Sequence, residues 1–281
     1  MDLPPRTTEA LARLGAILNE LESVVVAFSG GADSAFLAWM AADSLGVGHA
    51  PCTTAVSASL ADEELEGCRS LAAAWGLSWS TVATDELDRV AYVANGPDRC
   101  ASCKASLMDA LSPQAAALGA TVVLGVNVDD LGDHRPGQAA AAEAGARFPL
   151  VEAGFTKAMV REASRSLGLV TWDKPAAACL ASRIPYGVTV PVGALGSVQR
   201  AEAGLRALGL RQLRVRHHGE VARVEVDPSE LELAFRRRDE VAAAVRAAGY
   251  AYVALDLDGF RSGSMNEVLP AARPSGRATR S

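Results

Sequence analysis

Apolar positions along the first part of the chain switch repeatedly between two spacings. Leu11, Leu14, Leu18 and Leu21 recur at three- and four-residue steps and predict one face of a leading helix. "SVVVAFS" then reads as a short, continuously apolar strand, and a helix pattern follows its glycines to about Leu45. The exchange repeats. "HAPCTTAV", "LSWSTVAT" and "ATVVLGVN" predict further strands, separated by helices over "ADEELEGCRSLAAAWG", ending at Gly76, and "ASLMDALSPQAAALG". Apolar strands alternating with helices predict an α/β fold whose parallel sheet is covered on both faces. This organisation runs to about residue 185.

The stretch "PYGVTVPVGALG" breaks the pattern and reads as a linker. Beyond it come a helix over about 194 to 208, strands "QLRVRHH" and "VARVEVD", a helix over "PSELELAFRRRDEVAAAVRAAG" and a strand "YAYVALDLD". The expected organisation is an α/β domain over 1–187, a small α+β domain over 188–270 and a polar, disordered tail over 271–281. No internal repeat is present.

Composition narrows the picture. At 281 residues the chain has length for a real core, and 49% hydrophobic with 21% charged residues is ordinary for a globular protein. A net charge of −6 argues against a nucleic-acid-binding face, though not against a local basic pocket. The start, "MDLPPRTTEA", lacks the order of a signal peptide, and no apolar run reaches the ~18 residues of a membrane span. Five cysteines without an export signal point to reduced thiols, metal or catalysis rather than to disulfides, so the expected location is the cytoplasm.

The turn "SGGADS" stands between a strand and a helix, where backbone N–H groups and the positive helix end converge on an anion site. Gly30 and Gly31 permit close backbone approach, and Ser29 and Ser34 add hydroxyls. Neither a Walker lysine nor a G-x-G-x-x-G fingerprint is present. The bland reading is a glycine turn with a helix cap. The motif itself resembles the pyrophosphate loop (PP-loop) of ATP pyrophosphatases, which implies ATP as substrate and Asp33 acting through Mg²⁺. "LGVNVDDLGDHRPG" matches the same superfamily. Asp130 and Asp133 are candidate Mg²⁺ ligands there, and Arg135 a partner for phosphate or carboxylate. Lys157, expected in the first turn of a helix, opposes its dipole and so is a candidate for ATP binding, against a plain surface lysine.

With "WDKPAAACLASRIPYG", "RVRHHGEVARVEV" and "GFRSGSMNEVL", these motifs resemble the LarE sulfur transferases over nearly the whole chain except the tail. The resemblance implies an enzyme that adenylates a carboxylate of a pyridinium dicarboxylate mononucleotide, releasing pyrophosphate. A sulfur nucleophile then displaces AMP and leaves a thiocarboxylate, in the biosynthesis of the nickel-pincer cofactor of lactate racemase. It further implies that Arg214 and Arg216, with Ser182 and Arg183, bind the substrate's phosphate and carboxylates, and that Glu202 and Glu225 coordinate a metal. It places the sulfur chemistry at Cys179, either as a sacrificed side chain or as one of three ligands, with Cys100 and Cys103, of a [4Fe–4S] cluster.

The residues alone leave alternatives open. Cys100 and Cys103 form a C-x-x-C, which also suits zinc, a redox dithiol or bystander thiols. Arg214 and Arg216 share one strand face, and arginines facing Arg223, Glu225 and Asp227 across a hairpin are commonly solvent-side ion pairs. Cys52 and Cys68 read as core. The competing functions are another PP-loop enzyme, a tRNA thiolase or amide-forming synthetase, and a non-catalytic nucleotide sensor. The expected partners are the small-molecule substrate, a sulfur donor and further copies of the chain, with no membrane or nucleic acid.

Overall fold

The structure, a computed structural model, describes residues 3–132, 136–175, 178–261 and 264–265. The tail over 271–281 and the candidate ligands Asp133 and Arg135 lie outside the described residues. Two compact units divide the chain, Met1–Ala181 with Thr189–Leu195, and Ser182–Val188 with Gly196–Ser281.

The first unit runs α1 (Pro5–Leu21), β1 (Val24–Ala27), α2 (Ala32–Leu45), β2 (Cys52–Val56), α3 (Asp62–Trp75), β3 (Trp79–Ala83), α4 (Val90–Val93), α5 (Arg99–Leu118), β4 (Thr121–Leu124), α6 (Pro136–Glu143), α7 (Pro149–Glu152) and α8 (Lys157–Ser166). Its four strands are parallel, in the order β3-β2-β1-β4. Alternation along β1 explains why that strand is apolar throughout. Val24 and Val26 enter a core with Leu14, Leu18, Phe36 and Phe155, whereas Val25 enters a second core with Leu107, Met108 and Leu111 of α5. The Phe36 and Phe155 rings sit 5.3 Å apart and tilted, tying α2 to the segment that leads into α8. Each such fully buried side chain contributes roughly 1.5–3 kcal/mol. Cys52 and Cys68 belong to the first core, and burial pushes the Cys52 thiol up to about 12.

Because β1 and β4 are neighbours, the segments leaving their carboxyl ends, 28–31 and 125–132, lie side by side. That is where open parallel sheets bind ligands. One boundary differs from the pattern. The helical signal begins at "ASLM", yet α5 starts at Arg99, so Cys100 and Cys103 are helical and one turn apart. Tertiary bonds hold this extra turn, since Arg99 Nη1 donates to Asn95 Oδ1 and, at 2.9 Å, to the Ala181 carbonyl.

The second unit contains α9 (Val192–Ala207) from Gly196 onward, β5 (Leu213–His218), β6 (Val221–Val226), α10 (Leu231–Arg236), α11 (Arg238–Ala247) and β7 (Tyr252–Leu255). The sheet order is β5-β6-β7, with β5 antiparallel and β7 parallel to β6. Val198, Ala201, Leu205, Val215, Val224, Val226 and Val245 are buried. Gly204 lets α9 approach α11 closely, since an added Cβ would stand 3.3 Å from that of Ala244. The architecture is thus an α/β PP-loop domain with a smaller α+β domain. No helix among the described residues is long and apolar enough to cross a membrane.

Candidate functional site

The turn after β1 is built tightly. Gly30 has φ +64°, and a Cβ there would fall 2.9 Å from the Cys68 Sγ beneath it. A side chain is therefore excluded by both conformation and space. The Ser29 N–H donates to Ser34 Oγ at 3.2 Å, the two hydroxyl oxygens are 2.9 Å apart, and Ser34 donates to the Gly31 carbonyl at 3.3 Å. Gly31 caps α2 with extended backbone and no side-chain bond, leaving the helix start open to an anion. From beneath, Lys174 Nζ donates to the Gly30 carbonyl at 3.1 Å and to Glu64 at 2.9 Å. Across the turn, a Cβ on Gly125 would stand 2.7 Å from the Ser34 nitrogen, so glycine must follow β4 for the two segments to meet.

Carboxylates gather at this point. Asp33 lies in the first turn of α2, and its pKa is raised, first by burial and then by the charge of Asp130. The Asn127 amide, Lys157 and Arg161 oppose that shift without cancelling it. The Asn127 amide nitrogen is buried and lacks a hydrogen-bond partner of good geometry. Asp130 is buried and meets Lys157 Nζ at 3.0 Å, while its other oxygen accepts from the Asn127 N–H at 3.2 Å. Asp129 and Thr156 accept from the Lys157 and Met159 N–H groups at 2.8 and 3.2 Å, so the start of α8 is capped and turned toward the same loop. The fold therefore brings Ser29, Gly30, Gly31, Asp33, Ser34, Asp130 and Lys157 into one neighbourhood. Two mutually repelling carboxylates beside an anion-ready helix start fit a divalent cation between protein and phosphate.

The three cysteines share a second neighbourhood of the first unit. The Leu180 N–H donates to the Ser59 carbonyl at 2.8 Å and the Ala181 carbonyl accepts from Arg99, so bonds on its C-terminal side hold Cys179 toward the start of α5. Burial pushes the Cys103 thiol up to about 12, with Lys104 opposing and Cys179, Glu86 and Cys100 adding to the rise. Cys100 is exposed and Cys179 half-buried. Among the described residues no group of three His, Cys, Asp or Glu side chains converges on a point suited to a single metal ion.

The second unit holds an arginine cluster. Strand register sets Arg214 opposite Glu225 and Arg216 opposite Arg223, on one face, where Arg214, Arg216 and Glu225 are buried and Arg223 is half exposed. Arg216 grips Glu225 Oε2 with Nε and Nη2 at 3.0 and 2.7 Å, while Arg223 reaches Oε1 at 2.9 Å. Arg183 forms a fork on Glu202 at 2.8 and 3.0 Å, and Arg206 adds a bond at 3.1 Å. Ser182 joins them, its hydroxyl accepting from Arg183 at 3.1 Å and its carbonyl from Arg216 at 3.0 Å. Arg214 stacks 5.1 Å over the Phe260 ring. Burial, followed by the charge of Arg183, pushes its pKa down to about 10. The expectation of a metal on Glu202 and Glu225 meets a different arrangement, because arginines and the Val215 N–H occupy their oxygens. Three buried arginines, Arg183, Arg214 and Arg216, against the two buried carboxylates Glu202 and Glu225 leave an excess of buried positive charge, which suits an anion.

Sequence reasoning passed over Gly125, Asn127, Lys174, Glu86 and Arg206. Only Gly125 and Asn127 carried a signal, as the small and amide residues of "LGVN" at a strand's carboxyl end. The others become visible through contacts distant in sequence.

No family model matches the chain. Three relatives cover most of it. An uncharacterized protein of Synechocystis is 44% identical over 262 residues, 92% of this chain and 97% of the relative. An uncharacterized protein of Methanocaldococcus jannaschii is 23% identical over 242 residues, 86% of this chain and 92% of the relative. The pyridinium-3,5-bisthiocarboxylic acid mononucleotide synthase of Lactiplantibacillus plantarum is 39% identical over 263 residues, 93% of this chain and 95% of that one. At that identity and coverage, on a PP-loop domain followed by an arginine-bearing α+β domain, the chain belongs to the LarE family.

Proposed function

We propose that this protein is an ATP-dependent sulfur transferase that converts carboxylates of a pyridinium dicarboxylate mononucleotide to thiocarboxylates, serving assembly of the nickel-pincer cofactor. The observation that carries this reading is the carboxylate pair Asp33 and Asp130 beside an open helix start that offers no Walker lysine. In the first step an acceptor carboxylate oxygen attacks the α-phosphorus of ATP, and the bond to pyrophosphate breaks. The backbone of Gly30 and Gly31 and the start of α2 hold the departing phosphates, with Lys157 adding positive charge. Asp33 and Asp130 would hold Mg²⁺, which when bound screens the phosphates from those carboxylates. Sulfur then attacks the acyl carbon, and AMP leaves with the bonding electron pair.

Cys179 handles that sulfur. Cys100, Cys103 and Cys179 would hold a [4Fe–4S] cluster, which when bound supplies an iron for a transferable sulfide. Sacrifice of the Cys179 sulfur is the competing source. Arg183, Arg214, Arg216 and Ser182 bind the acceptor's phosphate and carboxylates, the fork-shaped guanidinium donors suiting both groups. Incubation with ATP, Mg²⁺ and the pyridinium dicarboxylate mononucleotide tests the reading. AMP, pyrophosphate and thiocarboxylate are expected, and ADP with inorganic phosphate would overturn it. Single-turnover assays of Cys100→Ala, Cys103→Ala and Cys179→Ala, with iron analysis of anaerobic protein, separate the two sources. A cluster requires all three cysteines, whereas sacrifice requires Cys179 alone and leaves dehydroalanine.

A further inference from the structure

Lys174 lies beneath the phosphate turn and has no part in the steps above. Its Nζ donates to the Gly30 carbonyl at 3.1 Å and to Glu64 Oε2 at 2.9 Å, and both side chains are half-buried. The backbone that presents the lysine is held on both sides. Its N–H donates to the Thr171 carbonyl at 3.1 Å, and its carbonyl accepts from Arg161 Nη2 of α8 at 3.3 Å. Glu64 is fixed in the first turn of α3, the helix whose Cys68 stands under Gly30. A partly exposed ion pair adds little to stability by itself. The bond to Gly30 is what sets this one apart.

A peptide unit is planar and trans, so its N–H points opposite to its C=O. With the Gly30 carbonyl turned down to Nζ, the Gly31 N–H is turned away from the lysine, at the open start of α2. Among the described residues no group of the protein accepts from that N–H. The Gly30 φ of +64° permits this orientation but does not hold it, because glycine passes readily between positive and negative φ. Holding falls to the donor beneath. Glu64 offsets the ammonium charge, so Lys174 gives the turn a fixed peptide more than a net charge.

We propose that Lys174 is a positioning residue of the phosphate turn: anchored by Glu64, it keeps the Gly30 carbonyl turned away from the anion and the Gly31 N–H aimed at it. The inference rests on the reading of this turn as the site of the ATP phosphates.

Lys174→Met tests it, keeping the length of the side chain and removing its donor. Isothermal titration should show Mg·ATP binding about tenfold more weakly, the scale of one hydrogen bond from a charged donor. Pyrophosphate should weaken by a similar factor, whereas AMP, which lacks the two phosphates assigned to the turn, should bind as it does to wild type. A merely structural role would weaken all three alike. Equal losses for ATP and AMP therefore overturn the proposal, as does an unchanged ATP affinity. Removing the ammonium also leaves Glu64 without this partner near the phosphates, so the double variant Glu64→Gln, Lys174→Met is the control. It should bind ATP as weakly as Lys174→Met, and it replaces that variant should Lys174→Met fail to fold. Recovery of wild-type affinity in the double variant would make the loss one of charge and overturn the positioning role. Wild-type protein that binds no Mg·ATP would end the reading of the turn, whereas wild-type binding that Lys174→Met leaves intact ends this inference alone.

Discussion

The two charged regions of this molecule are built with opposite surpluses. At the PP-loop, Asp33 and Asp130 repel each other, and Asp130 meets Lys157, itself half exposed, at 3.0 Å. In the second unit, Arg183, Arg206, Arg214, Arg216 and Arg223 surround Glu202 and Glu225. Both regions suit phosphorylated ligands, by different physics. The first presents backbone dipoles and needs a cation between carboxylate and phosphate; the second presents guanidinium groups that meet an anion directly. The difference also separates function from stability. A carboxylate with a raised pKa is charged at neutral pH against the preference of the fold, whereas one held below its ordinary value helps the fold.

The largest expected effect is on the first side of this contrast. Asp33→Ala should abolish Mg²⁺-dependent pyrophosphate formation. Because the folded-state pKa of Asp33 is raised, its ionised form opposes folding at neutral pH, so the variant's melting temperature should hold or rise. Residual pyrophosphate formation at wild-type rate, followed by an enzyme-coupled assay, would dissolve the assignment. On the second side, Glu202→Ala removes the shared partner of Arg183 and Arg206 and leaves buried positive charge uncompensated. Urea unfolding should show a loss of about 3–5 kcal/mol; a loss below 1 kcal/mol would mean that the arginines do not depend on it.

Arg214→Ala sharpens the contrast further. Arg214 bonds the Leu213 carbonyl at 2.7 Å and lies 5.1 Å over the Phe260 ring. Acceptor binding should weaken by about 1.5–3 kcal/mol with ATP binding unchanged. Isothermal titration with each ligand checks this, and equal loss for both would collapse the distinction. The smallest effect is in pH. Burial alone would raise the Glu202 pKa, but the bonds and charge of Arg183, with the Val215 N–H, hold it below the ordinary 4.5. Its stabilisation is therefore full above 4.5 and is lost as pH falls through the lower, folded value. Glu202→Gln should flatten the unfolding free energy across that window, and a profile parallel to wild type would refute the linkage.

The sequence by itself determined the alternation of strand and helix, the parallel sheet, the hairpin and the glycine turn before α2, because each follows from near-neighbour spacing. Val24 to Ala27 had to be a buried strand, "SGGADS" had to turn, and the period-two placement of Arg214, Arg216, Arg223 and Glu225 had to put them on one face. Tertiary structure alone decided which of these groups are partners. The adjacency of β1 and β4 brings Asp130 to Asp33 and makes Gly125 indispensable. The bonds at Leu180 and Arg99 extend α5 upstream and hold Cys179 toward the start of that helix. Burial of Arg214, Arg216 and Glu225 made the hairpin charges part of the interior of the second unit rather than a solvated face. Periodicity records which way a side chain faces, but desolvation and charge pairing depend on what stands opposite, and only the folded chain supplies that.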